Sequence, residues 1–130
     1  MSKYLAKIIA NDKEGLQIIS ACISGSKAKV SDIKYLASNK VFLLSIERIK
    51  VENENEDKKI CSIARFDFID KVRSKNIDQS NQKTVLELVG IDYLKNNDVY
   101  EINLIFNKNA HIILTTETIE ARLEDQSEIK

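Results

Sequence analysis

Lys71, Arg73 and Lys75 alternate with Val72 and Ser74 inside the stretch SIARFDFIDKVRSKNI, Ser62 to Ile77. In an extended chain alternate side chains share a face, so the three cations would project together while Val72 and Ser74 point inward. Such a stripe suits a phosphate or an acidic partner, and Arg65 and Lys83 are further cations nearby in the chain. Its competing reading is a solvated face, the usual fate of Lys and Arg. Arg65, Lys71, Arg73 and Lys75 are therefore the candidate ligand-binding residues.

Other residue types that carry chemistry are poorly placed. His111 is the one histidine; it opens an apolar strand after a turn and has no Ser, Cys or metal-ligand neighbour at a motif spacing, so a general-base role has no visible partner. Asp67 and Asp70 flank Phe68 at acid/base spacing, yet carboxylates three apart near a strand end are ordinary turn residues. Cys22 and Cys61 lack CxxC spacing and read as small buried thiols. With one His and two Cys, a four-ligand structural zinc site has too few ligands. Gly15, Gly25 and Gly90 stand apart, so no glycine-rich loop cradles a phosphate. No catalytic residue, metal or cofactor is expected.

Composition bounds the class. A chain of 130 residues fits one domain with its own core, and 43% hydrophobic with 31% charged residues is the balance of a soluble globular protein. Apolar runs such as VFLL, Val41 to Leu44, are too short to span a bilayer. The segment MSKYLAKIIANDKEG lacks the apolar core of a secretory signal, so a cytoplasmic location is expected. Twenty basic and twenty acidic residues cancel, so bulk charge recruits no polyanion. The excess of Lys, Ile and Asn and the absence of proline fit A/T-rich codon drift, which tempers any role given to a single Lys or Asn.

The elements that must position these residues follow from periodicity. Tyr4 to Ala10 reads as a strand. Asn11 with Glu14 has capping-box spacing, Leu16, Ile19 and Ile23 recur at helical spacing and Gly25 supplies a stop, which predicts a helix over Asp12 to Ser24. Lys27 to Tyr35 and Lys40 to Val51 form a hairpin through ASNK, the second strand being apolar on both faces in its first half and hence central. ENENEDKK, residues 52–59, reads as a flexible charged loop. Strands follow at Ile60 to Phe68, Lys71 to Ile77, Thr84 to Leu94, Val99 to Phe106 and His111 to Thr118, with Phe66, Phe68 and Val72 as core. TIEARLEDQ has both strand and helix character; the preferred reading is a strand continuing past a bulge near Thr118, with residues 126–130 a flexible tail.

Three stretches, DKEGLQIISACISGSKAKVSDIKYL, ARFDFIDKVRSKNI and ETIEARLEDQ, carry a nearly end-to-end resemblance to a family of short uncharacterised alphaproteobacterial proteins, domain-of-unknown-function family 2948. Members carry RFDWE where this chain has RIKVE, Arg48 to Glu52, and glycine where Asn76 stands; asparagine tolerates the left-handed conformation that glycine marks there. The resemblance implies no activity, cofactor or catalytic residue. ARFDFIDKVRSKNI alone also looks like a strand-turn-strand phrase of pleckstrin-homology-like bacterial domains.

The expected architecture is a single α+β domain over residues 1–130, mainly an antiparallel sheet of about seven to eight strands forming a roll or incomplete barrel, with the N-terminal helix packed on it. A pleckstrin-homology-like roll with a C-terminal helix is the alternative. The expected function is a non-catalytic binding or assembly module with a protein partner or self-association and no membrane span. Anion or nucleic-acid contact through Lys71, Arg73 and Lys75 is the second reading, and a small enzyme using His111 the third.

Overall fold

A computed structural model describes residues 7–53 and 56–129. In chain order the elements are β1 (Lys7–Ala10), α1 (Lys13–Ile23), β2 (Lys27–Lys29), a 3-10 turn (Val30–Asp32), β3 (Ile33–Leu36), β4 (Val41–Asn53), β5 (Glu56–Phe66), β6 (Ile69–Lys75), β7 (Val85–Asn96), β8 (Val99–Phe106), β9 (His111–Thr116) and β10 (Ala121–Ile129). The described strands form one antiparallel sheet in the order β1-β10-β5-β4-β2-β7-β8-β9-β6, with β3 also paired to β4. The α+β class and the dominance of antiparallel pairing are as the periodicity requires. Ten described strands exceed the expected number because the 3-10 turn splits Lys27 to Tyr35 into β2 and β3, and because β10 is a strand in its own right.

The helix forms where its spacing predicts, with one change at its start. Asp12, not Asn11, is the N-cap, and its carboxylate accepts from the Gly15 N–H at 2.8 Å. Gly25 ends the helix with φ +85°, a conformation costly for any residue with a Cβ. Leu16, Ile19 and Ile23 bury one stripe against β1 and β7, and the Ser20 hydroxyl accepts from the Ile91 N–H just past the bulge that bends β7 between Leu88 and Gly90.

Three expectations are corrected. The C-terminal segment is β10, paired to β5 and β1, so a roll with a C-terminal helix does not describe this chain. Nor does β10 continue β9 past a bulge: β9 lies between β8 and β6, whereas β10 lies across the molecule between β1 and β5. The buried Thr116 hydroxyl donates to the Phe68 carbonyl and takes part in bonds to both the N–H and the carbonyl of Thr118, which fixes the point where the chain leaves. The charged run is the third case. β4 and β5 carry their ladder to Val51↔Asp57 and Asn53↔Glu56, so 52–53 and 56–59 are strand, and residues 54–55 lie outside the described residues. Pairing with a neighbour overrides weak strand propensity there. Likewise β10 extends through 126–129, with Ile129 opposite Lys59, and residue 130 lies outside the described residues.

Alternation then builds the core. Phe42, Leu44 and Ile46 of β4 meet Ala64 and Phe66 of β5, Leu86 and Leu88 of β7, Ile102, Leu104 and Phe106 of β8, and Ile112 and Leu114 of β9. Phe66 is buried against Phe42, but Phe68 is 55% exposed and Val72 only half-buried. The reason is local: Phe68 adopts a left-handed φ of 59° between β5 and β6, and this turn breaks the alternation that would have carried it inward. Asn76 has φ 60°, as expected of an asparagine at a glycine-marked turn, and Cys22 and Cys61 are free and half-buried rather than fully buried.

The sheet curls until β6, at one end of the strand order, returns to the start of β4. There the Ile69 N–H donates to the Lys40 carbonyl at 2.8 Å and the Tyr35 hydroxyl to the Ile69 carbonyl at 2.6 Å. Beyond that point β6 and β3 do not pair, so the barrel stays open along a seam.

Gly15 tests the helix packing. A Cβ there would lie 2.7 Å from Ala10 Cβ and 2.8 Å from Ala10 Cα, atoms that cannot swing away. Alanine gains about 1 kcal/mol in helix propensity, but overpacking costs about 1–3 kcal/mol. Gly15→Ala is therefore expected to lower the urea midpoint, and a raised midpoint would show that the α1–β1 contact yields.

Candidate functional site

The open seam holds a cavity of about 320 Å³. Its floor is Val30, Ile33, Phe42, Val72, Ile77 and Ile112, and its mouth carries Tyr35, Ser74, Gln79 and Gln82. Three elements create it. β3 is held to β4 from Ile33↔Leu44 to Leu36↔Val41, which fixes one wall. β6 is held to β9 from Val72↔Leu114 to Lys75↔His111, which fixes the other. The connection 76–84 closes one end, its Gln82 and Thr84 carbonyls accepting from the N–H groups of Ser31 and Val30, while the Lys40–Ile69 contact closes the other.

Polar groups at the mouth are organised by short-range bonds. The Gln79 side-chain amide donates to the Ser74 hydroxyl at 2.9 Å, and the Gln82 amide donates to the Gln79 carbonyl. Ser80 donates its hydroxyl and its N–H to the Asp78 carboxylate, and these bonds hold that carboxyl below its usual range. A lowered carboxylate keeps its clasp through neutral pH and loses it as pH falls through that lowered value. At the closed end Asp70 lies 2.9 Å from the Lys40 ammonium and, by hydrogen bond and then by charge, holds it above its usual range. Apolar walls with a few convergent polar groups and an open mouth are the ordinary makings of a binding site.

Lys71, Arg73 and Lys75 lie along the outer face of β6, beside this mouth, and all three are exposed. Arg73 reaches across β9 to an ion pair with Glu101 of β8. Lys71 and Lys75 make no ion pair among the described residues, and neither does Lys34 on β3 at the opposite lip. Arg65 stands apart from them. It lies on β5, far from β6 in the strand order, and its Nε donates to Asp67 at 2.8 Å, within a group that includes Arg122 and Glu124. Lys83 lies in the connection beyond β6, exposed. Asp67 and Asp70 face different cations, so they form no acid/base pair.

His111 opens β9 with Nδ1 3.2 Å from the Asn103 side-chain oxygen and Nε2 3.4 Å from that of Asn109. Both contacts are to amide oxygens rather than to a nucleophile or a carboxylate. Among the described residues no group of three His, Cys, Asp or Glu could hold a metal ion, and no helix is long and apolar enough to cross a membrane.

Periodicity alone does not reveal one further cluster. Arg48 of β4, Ser62 of β5 and Asp125 of β10 are buried together. The guanidinium donates through Nη2 to both Asp125 carboxylate oxygens at 2.8 and 2.9 Å and through Nε to Asp125 and Ser62, and the Ser62 hydroxyl donates to Asp125 at 2.7 Å. A hydroxyl on a carboxylate has the makings of a nucleophile and base, but Ser62 is 0% exposed and the Asp125 side chain 0% exposed, so no substrate reaches them. The cluster instead ties three adjacent strands together. Its sequence signal is a polar residue at an inward position: Arg48 continues the Phe42, Leu44, Ile46 face, Ser62 the Ile60, Ala64, Phe66 face, and Asp125 the Ala121, Leu123 face.

Fold and cleft together define a small antiparallel barrel, open along one seam, with α1 on its flank. The family model described as "Protein of unknown function (DUF2948)" matches residues 6–130, and the chain belongs to that family. No curated protein and no solved structure matches it.

Arg48→Met keeps an unbranched apolar stem but removes the guanidinium and its charge, leaving the Asp125 carboxylate buried without that partner. Breaking one side of a buried pair costs about 3–5 kcal/mol. Urea denaturation of the variant is expected to show a loss in that range; a loss below about 1 kcal/mol would mean that the pair does not hold the three strands.

Proposed function

We propose that the protein is a non-catalytic cytoplasmic binding module that engages a protein partner at the seam between β3 and β6. The observation that carries this reading is the unclosed barrel: two strand edges face each other without pairing, over an apolar cavity whose mouth is polar. An unpaired edge presents backbone donors and acceptors that other chains can satisfy. Val72 is half-buried and Ser74 exposed although both point toward the barrel interior, so the cavity is reachable from solvent.

A second reading has its own observation. Lys71 and Lys75 are exposed and make no ion pair among the described residues, which favours contact with an anion or nucleic acid along β6. Such binding would weaken steeply with salt.

Ser74→Trp separates the seam from the rest of the surface, because an indole at the mouth fills the cleft while an exposed serine contributes little to stability. Affinity capture from the native cytoplasm with the tagged wild type and with this variant, at equal melting temperature, is expected to recover partners with the wild type that are depleted at least tenfold with the variant. Equal recovery would remove the seam as the binding site. Retention on immobilised single-stranded DNA that falls with salt and is lost in Lys71→Ala/Lys75→Ala would favour the second reading.

A further inference from the structure

The cleft and the cationic stripe have so far been separate features, but they share one strand. We infer that the seam takes a short extended segment of a partner protein, added as a strand to the free edge of β6, in which acidic residues alternate with apolar ones. This rests on the seam being the binding site and names what occupies it.

The argument is one of register. A strand laid along β6 places each of its residues beside one β6 residue and on the same face. Residues beside Lys71, Arg73 and Lys75 would stand on the outer face, and residues beside Val72 and Ser74 would turn into the cavity. The outer face of β6 carries three cations, and among the described residues the carboxylate that pairs with them is Glu101, on Arg73. Lys34, which makes no ion pair among the described residues, adds a further cation at the opposite lip. That face therefore favours Asp or Glu at the outward positions of the guest and disfavours Lys or Arg, since like charges directly opposite destabilise a strand pair. The inward positions meet Val72, Ile77, Ile33 and Ile112, which favour small aliphatic side chains such as Val or Ile. The Lys40–Ile69 bond at one end and the connection 76–84 at the other limit the guest to the span Lys71 to Lys75, about five residues of extended chain.

A nucleic acid would use the same lysines but has no apolar side chains for the cavity. A small apolar ligand would use the cavity but leave the stripe idle. The alternating acidic and apolar segment uses both.

The test titrates the 15N-labelled full chain with a capped Gly-Glu-Val-Glu-Val-Glu-Gly peptide and follows backbone amide shifts. Shifts confined to β3, β6 and the connection 76–84 are expected. Binding should weaken at least tenfold in the peptide with Lys for Glu, and at least tenfold when alternate peptide amides are N-methylated, because methylation removes the donors a strand pair needs. Lys71→Glu/Lys75→Glu should weaken the acidic peptide at least tenfold with an unchanged thermal midpoint. The peptide arms need no variant, so a misfolded variant leaves the result intact. Acidic and basic peptides binding equally, or methylation without effect, would overturn the inference. So would a single-stranded oligonucleotide that shifts the β6 amides where the peptide does not. A parallel titration with 1-anilinonaphthalene-8-sulfonate separates the two levels. Seam shifts with this probe and none with any peptide would overturn the strand guest and keep the cleft as a site, whereas no shift with either would remove both.

Discussion

The buried pair of Arg48 with Asp125 constrains the rest of the sheet. A charged side chain at an inward strand position is tolerated only where its partner arrives in register, because an unpaired buried charge costs several kcal/mol. Slipping β4 or β10 by one residue would turn one partner to the outer face and leave the other inside. Ser62, between them on β5, adds a hydroxyl that bonds both, so three strands are fixed together. The bulge in β10 between Asp125 and Ser127 falls immediately after the residue that supplies the carboxylate. Once β4 is fixed, so is its opposite edge, where β3 and β2 pair in succession. The wall of the seam is thus set from the other side of β4.

The seam itself follows from what β2 and β3 cannot do together. The 3-10 turn at Val30–Asp32 shifts the chain between them, so β2 continues the sheet to β7 while β3 is left with one partner. β6 reaches toward β3 from the other end of the curl, and among the described residues the Ile69 and Tyr35 bonds and the Lys40–Asp70 ion pair cross the gap at its closed end. A barrel closed by side chains and one backbone bond leaves room that a fully paired barrel would not.

Much of this was legible in residue patterns and some was not, for physical reasons. Helix α1 was readable because Leu16, Ile19, Ile23 and Gly25 encode both face and stop within one segment. β8 matches its expected limits because Val99 to Phe106 lies between two tight turns. Phe68 misled because an exposed aromatic in a left-handed turn looks, in one dimension, like one more apolar residue of a strand. Residues 52–53 and 56–59 misled because their strand character comes from the facing strand. The basic stripe of Lys71, Arg73 and Lys75 was visible, but Arg65 joined it only by nearness in sequence; the turn at Asp67 and Phe68 sends β5 and β6 to different parts of the sheet. The cavity was not readable at all, since it is defined by two edges that fail to pair. The Arg48 cluster left a faint mark, a polar residue on an apolar face, at positions separated by up to 77 residues.

The pairing of β1 with β10 has a consequence for how the chain acquires this structure. β10 lies between β1 and β5, so neither has this neighbour until residues 121–129 are available. The hairpins β4–β5, β7–β8 and β8–β9 close locally and can form early, but a nascent chain lacking residues 121–129 would carry an unpaired β5 edge and an Arg48 without its carboxylate. Completion of the fold therefore waits until residues 121–129 have emerged from the ribosome, and a deletion within them would yield a sticky, half-assembled sheet rather than a smaller stable protein.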